Sequence, residues 1–249
     1  MLKEERQNCI LNKIRLNKKV LSVDLSHELN VSEDTIRRDL NELSSKKLIK
    51  KVHGGALTIE NIAPSYEERR NHNLQEKNSI AKKAVKLIKS GQVIIMSGST
   101  TNLQLAKIIP SNINATIYTY SLPIALQLTE HPSIEIIFIG GKIHKSAQVT
   151  VGLDVVSSIS ELRADLCFMG TGGINISNGM TEPNWEVSHI KKCMISVSNQ
   201  VVALCTKNKI NEIKRYTAVP INKIDTIVTD IDPKDSIFNN FKEKGVKIL

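Results

Sequence analysis

Apolar positions recur along this chain with two different periods. Near the N-terminus they fall three to four residues apart. Ile10, Leu11 and Ile14 put an apolar side on a helix over 4–17. Leu25 and Leu29 share a face of a second, short helix in "VDLSHEL", which follows Ser22. Asn30 suits the left-handed residue that often ends a helix. Ile36, Leu40 and Leu43 stand at i, i+4 and i+7 and form the inward stripe of a third helix. Ser32 is its expected N-cap, with Val31 and Ile36 at the staple positions on either side. Glu33 and Asp34 suit the positive end of its dipole. About three residues separate the second helix from the third, which is helix-turn-helix spacing.

After Leu43 the period changes. In "LSSKKLIKKVHGGAL", residues 43–57, Leu48, Lys50 and Val52 alternate with Ile49 and Lys51, and His53-Gly54-Gly55 offers a tight turn. The pattern predicts a β-hairpin wing. Residues 58–75, "TIENIAPSYEERRNHNLQ", are polar and contain Pro64, so a domain boundary is expected there. Beyond it, helices alternate with short apolar strands. "EKNSIAKKAVKLIKSG" predicts a helix with Ile80, Ala84, Leu87 and Ile88 inward; "QVIIMS", "ATIYTY", "IEIIFIGG", "ADLCFMGTGG", "QVVALCT" and "DTIVTD" predict strands. Such alternation implies a largely parallel sheet. The fold class is therefore α/β. Three parts are expected: a winged helix-turn-helix over 1–58, a linker over 59–75, and a larger α/β domain over 76–249.

Composition narrows the function classes. The 249 residues are 41% hydrophobic, as in a globular protein, and no apolar run approaches the ~18 residues of a membrane span. "MLKEERQNCI" lacks the apolar centre of a signal peptide, so a cytoplasmic protein is expected. Cys9, Cys167, Cys193 and Cys205 form no CxxC pair and read as reduced thiols. Glu186 and His189 make a single ExxH turn, too little for a metal site, and no cofactor is expected. The net charge of +9 is uneven: the first 58 residues carry +4 and the other 191 carry +5. The denser positive charge lies where a polyanion such as DNA would bind.

On a helical wheel Asp34, Arg38, Asn41 and Ser45 lie opposite the apolar stripe, with Arg37 and Thr35 at the flanks. Ser32, Asp34, Thr35, Arg37, Arg38 and Asn41 thus form an outward face of hydroxyl, amide and guanidinium groups, which reach phosphates and base edges. Asp34 and Arg38 are spaced for an i,i+4 ion pair. Arg38, at the centre, is the candidate base reader, and Arg37, on the flank, the candidate phosphate contact. Lys46, Lys47, Lys50 and Lys51, with His53 and Gly54, would bring the wing onto the backbone beside the groove.

"LNVSEDTIRRDLNELSSKKLIKKVHGGA" resembles the N-terminal signature of the DeoR family of bacterial transcriptional regulators. The resemblance implies that Ser32–Leu40 enter the major groove and that the His-Gly-Gly segment belongs to the wing. It continues, more loosely, through "SGSTT", "YTYSL", "FIGGK", "TVGLDV", "ADLCFMGTGGI" and "EVSHIKKCMI". The family's sensor half is similar to ribose-5-phosphate isomerase, and ligands of parallel α/β sheets gather beyond the carboxyl ends of the strands. Gly98, Ser99, Thr100 and Thr101 read as a phosphate cradle, because they supply backbone N–H groups at a helix start with no bulky side chain at Gly98. The resemblance adds Ser121, Gly141, Gly170, Lys191 and Lys209 around a phosphorylated sugar or related effector. Two positions depart from the family: Tyr120 stands where an asparagine is usual, and Thr206, three residues before Lys209, where an aspartate is. The resemblance implies a regulator, usually a repressor, that binds double-stranded operator DNA as a dimer or tetramer. The rival is a sugar-phosphate isomerase, for which Glu182 and Glu186 are the candidate bases.

Overall fold

A computed structural model describes residues 1–46, 48–58 and 66–249. Lys47 of the wing and Pro64 of the linker lie outside the described residues. The chain forms two compact units, Met1–His72 and Asn73–Leu249.

The first unit runs α1 (Lys3–Asn17), β1 (Lys19–Leu21), α2 (Ser22–Leu29), α3 (Glu33–Ser45), β2 (Ile49–Val52), β3 (Gly55–Thr58) and α4 (Tyr66–Asn71), the last inside the stretch expected as linker. Its core joins Ile10 and Ile14 of α1, Leu25 of α2, the Ile36–Leu40–Leu43 stripe of α3, and Ile49 and Ala56 of the hairpin. Asn30 ends α2 with φ 51°, in the left-handed region. Ser32 caps α3, its Oγ accepting the Thr35 N–H at 3.3 Å. One polar contact was not foreseen. Asp39 sits on the buried side of α3, where its carboxylate accepts from Arg6 Nε at 2.6 Å and Gln7 Nε2 at 3.2 Å, both on α1. The Asp39 hydrogen bond raises the Arg6 guanidinium further above its already high pKa. Glu42, one turn on, accepts from Lys3 and Gln7.

The wing is also more than a hairpin. β3 pairs with β2 on one side and with β1 on the other, giving the order β1-β3-β2. Gly54 turns the hairpin with φ 75°. Gly55 has a different duty: a Cβ there would lie 2.0 Å from the Val20 carbonyl oxygen, so only glycine lets β1 approach.

The second unit continues with α5 (Leu74–Ala84), β4 (Val93–Met96), α6 (Thr100–Lys107), β5 (Ala115–Thr119), α7 (Leu122–Leu128), β6 (Ile134–Phe138), β7 (Lys142–His144), β8 (Val149–Val151) and α8 (Leu153–Ser160). It ends with β9 (Ala164–Gly170), β10 (Gly173–Asn175), β11 (Gly179–Glu182), α9 (Trp185–Ser196), β12 (Ser198–Cys205), β13 (Tyr216–Val219), β14 (Thr226–Thr229), α10 (Asn239–Glu243) and β15 (Lys247–Ile248). Seven strands form one sheet in the order β15-β14-β12-β9-β4-β5-β6, and every adjacent pair is parallel. From β4 the chain first builds outward through β5 and β6, then returns to β9 and builds the other way. The topological switch point thus lies between β4 and β9, where a ligand crevice is expected.

The first helix of this unit is shorter than the expected 76–91. It gives way after Ala84 to a 3-10 turn, and Ile88 turns extended to reach the core. Gly91, with φ 84°, then donates its N–H to Asn114 O at 2.7 Å. The small sheet β10-β11-β13 and the hairpin β7–β8 were not foreseen, since three- and four-residue strands show no measurable alternation. Cys167 and Cys205 lie on adjacent strands, and burial pushes both thiols up to about 12.

Two outcomes are expected. Asp39→Ala strands the α1 partners and should destabilise the first unit by roughly 2–3 kcal/mol, less than a fully buried pair because Arg6 keeps some solvent contact. Hydrogen exchange should quicken in α1 and α3 and stay unchanged in β9 and β12. Native protein at neutral pH should leave Cys167 and Cys205 unalkylated by iodoacetamide, with both labelled after denaturation.

Candidate nucleic-acid interface and effector site

The outward face of α3 carries most of the candidate DNA-contacting groups. Ser32, Asp34, Arg37, Arg38 and Asn41 are exposed, and Thr35 is half-buried with its hydroxyl 2.9 Å from Ser32 Oγ. The expected Asp34–Arg38 pair does not form. Arg37 takes both acids instead, with Glu33 at 3.8 Å and Asp34 at 3.6 Å. These spacings, i,i+4 and i,i+3, let one guanidinium reach two carboxylates along the same edge of the helix. Such exposed pairs are weak, and DNA phosphates can displace them. Among the described residues Arg38 has no ion pair, so its charge is left to the solvent face.

The wing is joined to this face. Lys51 donates its ammonium to Asn41 Oδ1, linking β2 to the middle of α3. Lys50, His53 and Gly54 are exposed beside it. Ile49 faces the core, but Lys50, Lys51 and Val52 after it are all exposed, so the expected alternation is not carried along β2 and both lysines lie on the surface.

In the second unit, α6 starts directly behind the end of β4. Ser99 is its N-cap, with Oγ accepting the Asn102 N–H at 2.9 Å and O accepting the Leu103 N–H at 3.1 Å. Among the described residues, the N–H groups of Ser99, Thr100 and Thr101 donate to no protein acceptor. Three unspent donors at the positive end of a helix are an arrangement that favours negative charge. The position of this helix start depends on Asn102, which the sequence reading did not single out. Fully buried, its Nδ2 lies 2.7 Å from Ser97 O, 3.2 Å from Ser97 Oγ and 3.1 Å from Phe168 O.

The glycines here serve chain packing more than open space. A Cβ on Gly98 would lie 2.2 Å from Val149 Cγ1, so β8 already covers that residue. A Cβ on Gly170 would lie 2.1 Å from Ser99 Cβ, so the ends of β4 and β9 touch across the switch point. Gly170 N–H also donates to Ser97 Oγ at 3.0 Å. Ser121 follows β5, fully buried, with no partner for its Oγ, and its Cβ is 3.5 Å from where a Gly98 Cβ would stand. Tyr120 is also fully buried, and among the described residues its hydroxyl, beside the Gly98 backbone and the Ser97 side chain, makes no well-formed hydrogen bond; burial, and then the Glu182 charge, raise its pKa.

Lys191 is present but occupied. Its Nζ donates to Gly170 O at 2.5 Å and to Glu182 Oε1, and Oε1 also accepts the Gly172 N–H at 3.1 Å. Gly98, Ser99, Thr100, Thr101, Ser121, Gly170 and Lys191 therefore converge around the switch point. Gly141, exposed with φ 151°, leads into β7, and Lys209 ends a 3-10 turn after β12, one strand further from β4. Thr206 Oγ1 is spent on Asn208 Oδ1 at 2.6 Å. Glu182 is bound to Lys191, and Glu186 forms an ion pair with Lys142 at 3.7 Å. Among the described residues no His/Cys/Asp/Glu cluster could hold a metal ion, and no helix is long and apolar enough to cross a membrane.

Residues 6–61 match the DeoR-like helix-turn-helix domain, and residues 72–231 match the DeoR C terminal sensor domain. The chain is 33% identical over 246 residues to the HTH-type transcriptional regulator GolR of Listeria innocua, covering 98% of this chain and 97% of that protein. It is 31% identical over 251 residues to the HTH-type transcriptional repressor GlcR of Bacillus subtilis, covering 100% and 96%. It is similar to the structure of ribose 5-phosphate isomerase A from Methanocaldococcus jannaschii, with a TM-score of 0.41 and 19% identity over 55% of each chain. That partial overlap says nothing of activity. The family and the full-length relatives are transcriptional regulators and not enzymes, which removes the isomerase alternative. With both units matched and full-length relatives above 30% identity, the chain belongs to the DeoR family of helix-turn-helix DNA-binding transcriptional regulators.

Proposed function

We propose that this protein is a cytoplasmic, sequence-specific repressor of carbohydrate-metabolism genes, controlled by a phosphorylated sugar or related metabolite. The observation that carries the DNA half is the face of α3, where Arg38 has no ion pair among the described residues while the wing is hydrogen-bonded to Asn41 through Lys51. Arg38 reads a base edge; Arg37, already near two acids, exchanges them for phosphate. Ser32, Thr35, Asn41, Lys50, Lys51, His53 and Gly54 fix the register on the backbone, and Asp34 restrains indiscriminate attraction. One recognition helix reads too few base pairs for high specificity, so the protein binds double-stranded operator DNA as a homo-oligomer, a dimer or tetramer.

The sensor half rests on the three unspent N–H groups of Ser99, Thr100 and Thr101 at the start of α6. They hold the phosphate. Gly98 and Gly170 keep the crevice walls close, and Ser121, Gly141, Lys191 and Lys209 surround the remainder of the ligand. Effector binding shifts the DNA-competent population only by its differential affinity for the two arrangements.

Three measurements test this reading. Genome-wide mapping of bound sites supplies the operator. On that fragment Arg38→Ala should lose about 1–3 kcal/mol of specific affinity and relax the preference at one base position, read by gel-shift titration. Arg37→Ala should weaken specific and nonspecific DNA alike and lower the salt slope by about one. If both variants keep wild-type affinity and preference, the assigned face is wrong. In the sensor, Thr100→Pro removes one N–H at the first helical position, where proline is tolerated, and Ser99 before it is already extended with φ −163° and ψ 159°. Inorganic phosphate should then bind about tenfold more weakly by calorimetry, a loss in keeping with one charge-assisted hydrogen bond. Unchanged phosphate affinity would remove the α6 cradle from the mechanism.

A further inference from the structure

The switch point contains two sets of donors suited to an anion, and only one of them is vacant. The first is the row of N–H groups at the start of α6. The second is the Gly172 N–H with the Lys191 ammonium, a glycine-loop donor beside a lysine. Glu182 fills the second set: its Oε1 accepts from both donors, and Lys191 spends a further hydrogen on Gly170 O at 2.5 Å. The pair is buried, with 2% of the Lys191 side chain and 9% of the Glu182 side chain exposed. The two sets are neighbours, because Gly170 packs against Ser99 on one side and accepts from Lys191 on the other.

The uncommitted polar groups beside them are neutral or acidic. Among the described residues the hydroxyls of Tyr120 and Ser121 are fully buried without a well-formed hydrogen bond, that of Tyr120 lying beside the Gly98 backbone and the Ser97 side chain, and Glu182 Oε2 accepts no hydrogen bond. Hydroxyl donors and a carboxylate acceptor suit ligand hydroxyl groups. A second phosphate or carboxylate would instead face the Glu182 charge with Lys191 already engaged by it, in a site shielded from water where like charges repel strongly.

We infer that Glu182 is a specificity-determining residue that restricts the effector to molecules with one anionic group, a sugar or polyol monophosphate whose opposite end is uncharged and hydroxylated. This rests on the reading of the α6 start as the phosphate site. Glu182 acts by occupying Lys191 and by presenting its own charge to the far end of the ligand.

Calorimetric titration of the full-length protein with matched pairs tests it. The pairs are glycerol 3-phosphate with 3-phosphoglycerate, glucose 6-phosphate with 6-phosphogluconate, and fructose 6-phosphate with fructose 1,6-bisphosphate. Inorganic phosphate is the reference. At least one monophosphate should bind more tightly than inorganic phosphate, and at least tenfold more tightly than its doubly anionic counterpart. Glu182→Gln, which frees the lysine, should shrink that ratio below threefold. A doubly anionic member that binds wild type as tightly as its counterpart, or no monophosphate that exceeds inorganic phosphate, overturns the inference while leaving the phosphate site intact. No saturable binding of any probe, inorganic phosphate included, overturns the phosphate site and the inference together. If Glu182→Gln does not fold, the wild-type pairs decide alone.

Discussion

The sensor unit depends on one buried amide. Asn102 must satisfy Ser97 and Phe168, on the ends of two parallel strands, while standing in the first turn of the helix that follows the first of them. Among the described residues the Ser97 carbonyl, just past β4, has no backbone partner, and burial without a substitute would cost it a hydrogen bond; the Phe168 carbonyl already accepts the Ser97 N–H at 2.9 Å and takes the amide as a second donor. The amide supplies that substitute and thereby sets where α6 begins. Everything assigned to ligand recognition follows from that placement: the direction of the unspent N–H groups, the contact of Gly170 with Ser99, and the closeness of Lys191 to both.

The DNA-binding unit solves a similar problem with charge. Asp39 is one residue from Arg38, yet points the opposite way, into α1. A carboxylate held there orients the helix about its own axis, because rotating α3 to bury Arg38 would expose the apolar stripe and strip Asp39 of Arg6 and Gln7. Both units thus use a serine to cap a helix and a buried polar side chain to fix it.

The first three helices of the first unit, the hairpin and most strands of the parallel sheet were legible in the sequence, because each repeats its apolar period long enough to be counted. Ser32 was legible as a cap because side-chain chemistry at a helix start is local. What could not be read was set by tertiary contact. β1 has three residues and no pattern of its own; it exists because Gly55 lets it approach β3. Arg37 and Arg38 have the same composition of neighbours within four residues, and only side-chain direction decides that Arg37 takes both acids. Lys191 was legible as a cation in the family's pattern, but its engagement by Glu182 joins two elements nine residues apart through a folded turn. Asn102 carried a faint signal, a lone amide in an otherwise apolar and hydroxyl-bearing helix start.

The placement of β3 between β1 and β2 has a consequence for how the protein meets a duplex. A hairpin attached only by its ends would have to lose conformational entropy on docking. Here its second strand is the centre of a sheet, laced to the segment that enters α2, while its first strand is tied to α3 through Lys51 and Asn41. The wing and the recognition helix therefore arrive as one preorganised body, and the entropy of aligning them has been spent at folding and not at binding. Discrimination between sequences can then fall on the few side chains that differ in reach, since the frame carrying them has little freedom left to accommodate a wrong site.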